Sequence, residues 1–243
     1  MRFDVLTLFP AMFEGPLDES ILKRAQNAGL IEIAIHQLRD WATDKHHTVD
    51  DTAFGGGPGM VMKPEPLFAA VEDIQLRAQQ PAHVILLTPQ GRRLDAPLVR
   101  ELATYDRLLL VCGRYEGVDE RVREHLADHE ISIGDFVVSG GELPALLLLD
   151  AVSRQLPGVL GAEDALAEES FDDDLLEYPQ YTRPADFRGW SAPDILRSGN
   201  HAEVDRWRRR QRILRTSRRR PDLFAIAHLT EEELTWLAQQ TDE

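Results

Sequence analysis

Apolar residues run almost unbroken through RFDVLTLF near the start of the chain, and again through HVILLT and RLLLVCG. Short continuous apolar runs closed by turn residues predict strands of a parallel sheet covered on both faces. IEIAIHQL alternates apolar and polar positions and predicts a further strand, and so does EISIGD. Between them, DESILKRAQNAG, PEPLFAAVEDIQLRAQ, APLVRELAT, VDERVREHLAD and ELPALLLLDAVSRQL predict helices. The first stops at Gly29 and the second carries proline near its start, where a helix tolerates it. Strand alternating with helix predicts an α/β fold with a mainly parallel sheet.

The pattern changes at Pro157. GVLGAEDALAEESFDDDLLEY is rich in glycine and acid and has weak periodicity, which predicts a linker. Beyond it the chain reads as all-helical. Asn200 followed by Glu203, and Thr230 followed by Glu233, are capping-box spacings. The expected organisation is an α/β domain over residues 1–160, a flexible acidic linker or lid over 161–177, and a small helical domain over 178–243.

Composition adds limits. With 243 residues and 43% hydrophobic positions the chain can bury a core. Its start has no cleavage site and no apolar run spans a bilayer, so the expected location is cytoplasmic. A single cysteine, Cys112, excludes internal disulfides and a multi-cysteine zinc site. The net charge of −15 argues against nucleic acid when averaged over the chain. The charge is segregated, however. Nine arginines stand against two acids from Asn200 to Arg220, and eight acids without a base lie between Gly161 and Tyr178. A solvated helix usually mixes both signs, so RWRRRQRILRTSRRR favours RNA or another polyanion.

Two apolar strands each run into a glycine-bearing loop, Gly113–Gly117 and Gly134–Gly141, with a third loop at LLTPQG. Ligands of open α/β sheets sit outside the carboxyl ends of strands, and glycine lets backbone approach them closely. The residues alone leave this open against ordinary turns. AFGGGPGM lacks both the Walker ending and the dinucleotide spacing, so it reads as flexible cover for a substrate or as a plain loop. His46 and His47 have no spaced partners that would suggest zinc. Cys112 lies within an apolar strand and reads as packing.

Ten ordered motifs between residue 2 and about residue 223 carry a resemblance: RFDVLTLFP, DDTAFGGGPGMVMKPEP, LLTPQGRRL, VCGRYEGVDERV, SIGDFVVSGGELPA, PGVLG, ESF, YTRP, SGNHAEVDRWR and RTSRRRPDL. The sequence resembles the bacterial tRNA (guanine-N1)-methyltransferases of the SPOUT superfamily. That resemblance implies a deep trefoil knot, a homodimer, S-adenosyl-L-methionine as methyl donor, and as target the guanine just 3′ of the anticodon where another guanine precedes it. It implies donor contacts at Leu87, Thr88 and Pro89; at Gly113, Tyr115, Glu116 and Gly117; at Ser132, Ile133, Gly134, Asp135, Phe136, Val137 and Val138; and at Gly140, Gly141 and Pro144. It implies tRNA contacts at His46, Asp50, Gly55, Gly57, Gly59, Ser198, Arg208, Arg215 and Arg218, with the helical domain on the anticodon arm. No membrane or protein partner other than a second copy is expected. No residue pattern indicates a metal, and a magnesium requirement stays open.

The resemblance also implies a catalytic pair. Guanine N1 carries a proton that a base must remove, and negative charge then grows toward O6. Arg154 matches the arginine that helps the transfer. The family pattern has aspartate immediately before Ser-Phe as general base. This chain has Glu169 there, next to Glu168, which lengthens the carboxylate by one methylene. Two rivals remain: a tRNA-binding protein without catalysis, and a nucleotide-binding α/β enzyme.

Overall fold

A computed structural model describes residues 1–78, 80–161, 169–171 and 173–240. The chain divides into two compact units, Met1–Glu163 and Asp164–Glu243.

The first unit alternates strand and helix: β1 (Arg2–Thr7), α1 (Ser20–Asn27), β2 (Glu32–Gln37), two short strands β3 (Asp50–Asp51) and β4 (Val61–Met62), α2 (Pro64–Leu76), β5 (His83–Arg93), α3 (Ala96–Leu102), β6 (Arg107–Cys112), α4 (Glu120–His125), β7 (His129–Ser132) and α5 (Glu142–Ser153). Five strands form one sheet in the order β2-β1-β6-β5-β7, and every pairing in it is parallel. β3 and β4 pair antiparallel outside it.

The continuous apolar runs are explained by which face each residue serves. Phe3, Val5, Ile85, Leu87, Leu108, Leu110 and Cys112 face one buried cluster with α1, α3 and α5. Leu6, Val84, Leu86, Leu109 and Val111 face the other with α2 and α4. Successive strand residues point to opposite faces, so a strand covered on both sides has no polar positions to spare. Each fully buried leucine contributes about 1.5–3 kcal/mol.

Polar groups enter this sheet only where they are paired. Asp4 on β1 is fully buried and accepts from Arg107 Nε at 2.8 Å, with His36 Nε2 at 2.8 Å and Arg2 Nε at 3.1 Å. Burial pushes its carboxyl up, but the hydrogen bonds from His36, Arg2 and Arg107 outweigh that and hold it well below the usual carboxylate range. Arg107 spends its remaining donors on the carbonyls of Gln80 and Ile74.

LLTPQG departs from the sequence expectation. β5 does not end there; it continues to Arg93, and its register against β7 slips so that Leu87 and Arg92 both face Ile131. Residues 88–91 stand out as an irregularity of the strand. A Cβ at Gly91 would collide with the backbone of Glu130 and Ile131, which is why glycine stands there.

The second unit contains β8 (Asp186–Phe187), β9 (Trp190–Ser191), α6 (His201–Arg219), α7 (Pro221–Phe224) and α8 (Glu231–Gln240). The antiparallel pair β8–β9 corrects the all-helical expectation. Its signal in the sequence was Arg188-Gly189 between aromatic residues, without the usual Asn-Gly or Asp-Gly. The second capping box forms in full and the first only as an N-cap, since Asn200 N donates to Ser198 Oγ and not to Glu203. Asn200 Oδ1 accepts from Glu203 N at 3.4 Å. Thr230 Oγ1 accepts from Glu233 N at 3.2 Å while Thr230 N donates to Glu233 Oε2 at 2.8 Å.

Part of the expected linker, residues 162–168 and 172, lies outside the described residues, and with it Glu168. Of the rest, Leu175 is fully buried and Leu176 N donates to Thr216 Oγ1 on α6 at 2.8 Å. Phe171, Asp173 and Asp174 adopt positive φ, and Glu177 N donates to Ser170 Oγ at 3.0 Å.

Candidate active site

At the carboxyl ends of β5, β6 and β7 lies a cavity of ≈ 350 Å³. Five segments wall it: Leu86–Gln90 from β5, Gly113–Val118 after β6, Glu120 and Arg123 of α4, Ile131–Ile133 with Phe136–Gly141 at and after the end of β7, and Pro144 at the start of α5. The residues expected to meet the donor all lie on this wall except Gly134 and Asp135, which belong to the same loop as Phe136. Leu86, Gln90, Arg114, Val118, Glu120, Arg123, Ile131 and Ser139 also line the cavity and were not expected.

Backbone builds most of this wall. Gly141 N donates to Gly113 O at 2.9 Å, and a Cβ at Gly141 would stand 2.6 Å from Cys112 Cα and 3.0 Å from Gly113 N. No rotamer change relieves a clash with backbone, so only glycine fits. Gly113 is less constrained, with Leu87 O at 3.4 Å as its nearest neighbour. At Gly140 a Cβ would strike the Arg114 side chain. In the third loop, Ser132 Oγ donates to Gly134 O at 3.0 Å. Phe136 and Val137 there are exposed.

Arg114 fastens the loops together. Its Nε donates to Glu142 Oε2 at 2.9 Å and its Nη1 to Ser139 O at 3.1 Å. Its guanidinium lies 4.4 Å from the centroid of the Phe9 ring. Glu142, fully buried in the first turn of α5, also accepts from Thr7 Oγ1 at 2.7 Å. A carboxylate there is favoured by the helix dipole and by both hydrogen bonds. The sequence hint was an arginine directly after Gly113 and an acid directly after Gly141.

The glycine-rich stretch borders the same loops. Met60 O accepts from Glu116 N at 3.0 Å, and Met62 N donates to Gly117 O at 2.9 Å. Gly55, Gly57 and Gly59 all have positive φ, with open space around the first two and the Glu116 side chain over the third. Burial, then the negative charge and hydrogen bonding of Asp50, push the Tyr115 phenol up. Asp50, expected at the RNA, therefore touches Tyr115, expected at the donor. His46 is exposed in the turn before β3, where its backbone N–H donates to Asp44 Oδ2 at 3.0 Å. Cys112 is buried, and burial followed by the Glu142 charge pushes its thiol well up, with Arg114 partly opposing. Its role is packing. Arg154 is the C-cap of α5 in the first unit, and Glu169 is half-buried in the second.

On α6 the arginine run does two jobs. Arg208 Nη1 reaches Asp205 at 3.5 Å and its guanidinium lies 4.8 Å from the Tyr178 ring centroid. Arg209 pairs with Glu233 at 2.7 Å, Arg210 lies over Trp236, and Arg215 Nη1 donates to Glu177 O at 3.3 Å. Arg212 is buried. Arg218 and Arg219 are exposed, and Ser198, also exposed, donates to Ile195 O at 2.8 Å. Among the described residues no three His, Cys, Asp or Glu side chains converge as a metal site, and no helix is long and apolar enough to cross a membrane.

A sequence model of the tRNA (Guanine-1)-methyltransferase TrmD family matches residues 1–226. The chain belongs to this family. A tRNA (guanine-N(1)-)-methyltransferase of Chloroflexus aggregans is 58% identical over 243 residues, covering 98% of this chain and 95% of that protein. Those of Gloeobacter violaceus (60% over 225 residues; 92% and 98% covered) and Dehalococcoides mccartyi (58% over 224 residues; 92% and 90% covered) are similar at the same level. The family's match spans both units, so the cavity and the arginine helix both fall within it.

Proposed function

We propose that this chain moves the methyl group of S-adenosyl-L-methionine to N1 of the guanine just 3′ of the anticodon, in tRNAs where another guanine precedes it. Family membership already makes it an enzyme that methylates guanine N1 in tRNA. The observation that carries the finer reading is the cavity at the carboxyl ends of the parallel strands, where glycines admit a ligand against bare backbone. Its mix of backbone N–H and C=O groups with Tyr115, Phe136 and Val138 suits an adenine, a ribose and a thioether-bearing chain. A deep trefoil knot in the first unit belongs to this reading, supported by the way the loop before α5 lies against Gly113.

The donor supplies an electrophilic methyl group on a sulfonium. The chain supplies the rest. Glu169 takes the N1 proton, since a carboxylate is ionised at neutral pH and can accept it. Arg154 faces the charge that grows toward O6. The exposed face of α6, with Arg218 and Arg219, holds the phosphates of the anticodon arm. Two copies assemble through the apolar face that Leu143 and Leu147 expose on α5. The cytoplasm, where tRNA is found, is the location that belongs to this reading.

The deciding experiment is methylation of an unmodified tRNA transcript with labelled donor. Transfer should occur with the target guanine and vanish when another base replaces it. Tight tRNA binding without turnover would favour a binding protein, and calorimetric preference for ATP over the donor would favour a nucleotide enzyme. A donor-site variant mixed with a Glu169 variant should regain partial activity if each site draws on two copies.

A further inference from the structure

Ahead of the short helical turn Asp194–Arg197, the second unit exposes three aromatic side chains close together in sequence: Tyr181, Phe187 and Trp190. Two of them sit on the β8–β9 hairpin. Its turn has two residues, Arg188 with φ 58° and Gly189 with φ 84°. Positive φ at both central positions is the type I′ geometry, whose twist matches that of the strands and fixes the ladder. Phe187 and Trp190 are therefore directly opposite each other and project on one face. Their ring centroids are 6.3 Å apart with planes tilted by 49°, and neither is covered: Phe187 is 53% and Trp190 70% exposed.

The charges of the hairpin are sorted as well. Asp186 is consumed internally, accepting from Ser191 Oγ at 2.7 Å and from Gly189 N at 3.0 Å. Arg188 is exposed at the tip with its guanidinium 5.0 Å from the Phe187 ring centroid. The tip thus presents two π faces beside one outward cation, with its only acid turned into the turn. Unpaired bases beside phosphate are the chemistry this meets: flat rings stack on the aromatics, and the guanidinium answers the backbone charge.

We infer that the Phe187–Trp190 hairpin is a stacking platform for unpaired bases of the tRNA, a contact separate from the phosphate contacts of α6. The inference rests on the functional reading above and deepens it. Stacking is short-ranged and nearly indifferent to salt, whereas phosphate contacts release counterions. The two are therefore separable by titration. Binding of an unmodified tRNA transcript is measured at several salt concentrations for wild type, Trp190→Ala, Trp190→Phe, Phe187→Ala and Arg188→Gln. Trp190→Ala should weaken binding on the order of tenfold at every salt concentration, leaving the salt slope unchanged. Trp190→Phe should keep most of the affinity, and Arg188→Gln should lower the slope by about one. A 2-aminopurine placed among the unpaired anticodon-loop bases should change fluorescence with wild type and not with Trp190→Ala. Donor affinity and melting temperature serve as controls, since the rings are exposed. Unchanged tRNA affinity in both alanine variants overturns the inference. So does a change in oligomeric state in Trp190→Ala, which would give the surface to a second copy. A wild-type protein that fails to methylate the transcript would instead sink the functional reading itself.

Discussion

The cavity in the first unit is made of backbone: strand ends, glycines in contact with neighbouring main chain, and one buried Arg114–Glu142–Thr7 network that ties the loops. The arginine helix in the second unit is made of side chains, and most of these bind the unit's own residues before any ligand arrives. Backbone-built sites are preorganised and change little when one side chain is altered, unless that change disturbs the main chain. Side-chain surfaces divide their work among many weak contacts. Mutations should therefore fall into two regimes, steep in the first unit and graded in the second.

The largest effect is expected at Glu142. Glu142→Ala leaves Arg114 without its buried partner, and breaking such a pair costs about 3–5 kcal/mol. Urea unfolding should show this, together with weakened donor binding. Loss of the surface pair Arg220–Asp222 should leave the unfolding midpoint unmoved. Equal effects at both places would erase the contrast between the units.

Next comes Glu169, to which the proposed function gives a chemical task. Glu169→Gln should lower turnover on the order of a hundredfold or more, with donor affinity unchanged and Glu169→Asp partly active. Glu168→Gln is the control. Should Glu168→Gln abolish turnover and Glu169→Gln spare it, the roles of the two must be exchanged.

The glycines grade the backbone argument itself. Gly141→Ala drives a Cβ against Cys112 Cα, whereas Gly113→Ala meets only a 3.4 Å neighbour. Calorimetry should find donor affinity at least about tenfold weaker for the first and within about threefold for the second, by the steepness of backbone overlap. The reverse order would mean that the loops move freely to accommodate a side chain.

The smallest effects belong to α6. Arg218→Gln should reduce the slope of log affinity against log salt by about one with no change in melting temperature. Arg208→Gln and Arg215→Gln should lower the melting temperature of the second unit as well, because both arginines hold internal partners.

How much of this could be read from the sequence follows the same division. The strands were legible because burial on both faces leaves long apolar runs, as in Leu108–Cys112. The glycine loops were legible as candidates, although residues alone could not choose between a site and a turn. Arg114 and Glu142 escape the sequence because one reads as a loop charge and the other as an ordinary acid at a helix start, until folding places them 2.9 Å apart across 28 residues. The arginine run is legible as charge, and its internal pairings are not. Charge counting sees nine cations, and only packing reveals that Arg208, Arg209 and Arg215 are engaged at home. The β8–β9 hairpin escaped because its turn uses Arg188 at a position with positive φ, which favours asparagine, aspartate or glycine.

The strand order has a consequence during synthesis. β1 emerges first but lies between β2 and β6, and Asp4 finds Arg107 only 103 residues later. At a ribosomal rate of about 5–20 residues per second, that interval lasts roughly 5–20 s. Throughout it the nascent chain carries an apolar strand lacking one of its two neighbours, and Asp4 has at most Arg2 and His36 beside it, without Arg107. Folding of the central strands is therefore deferred until β6 has left the ribosome, and a chain arrested before Arg107 should be captured by chaperones far more readily than one arrested after Ser153.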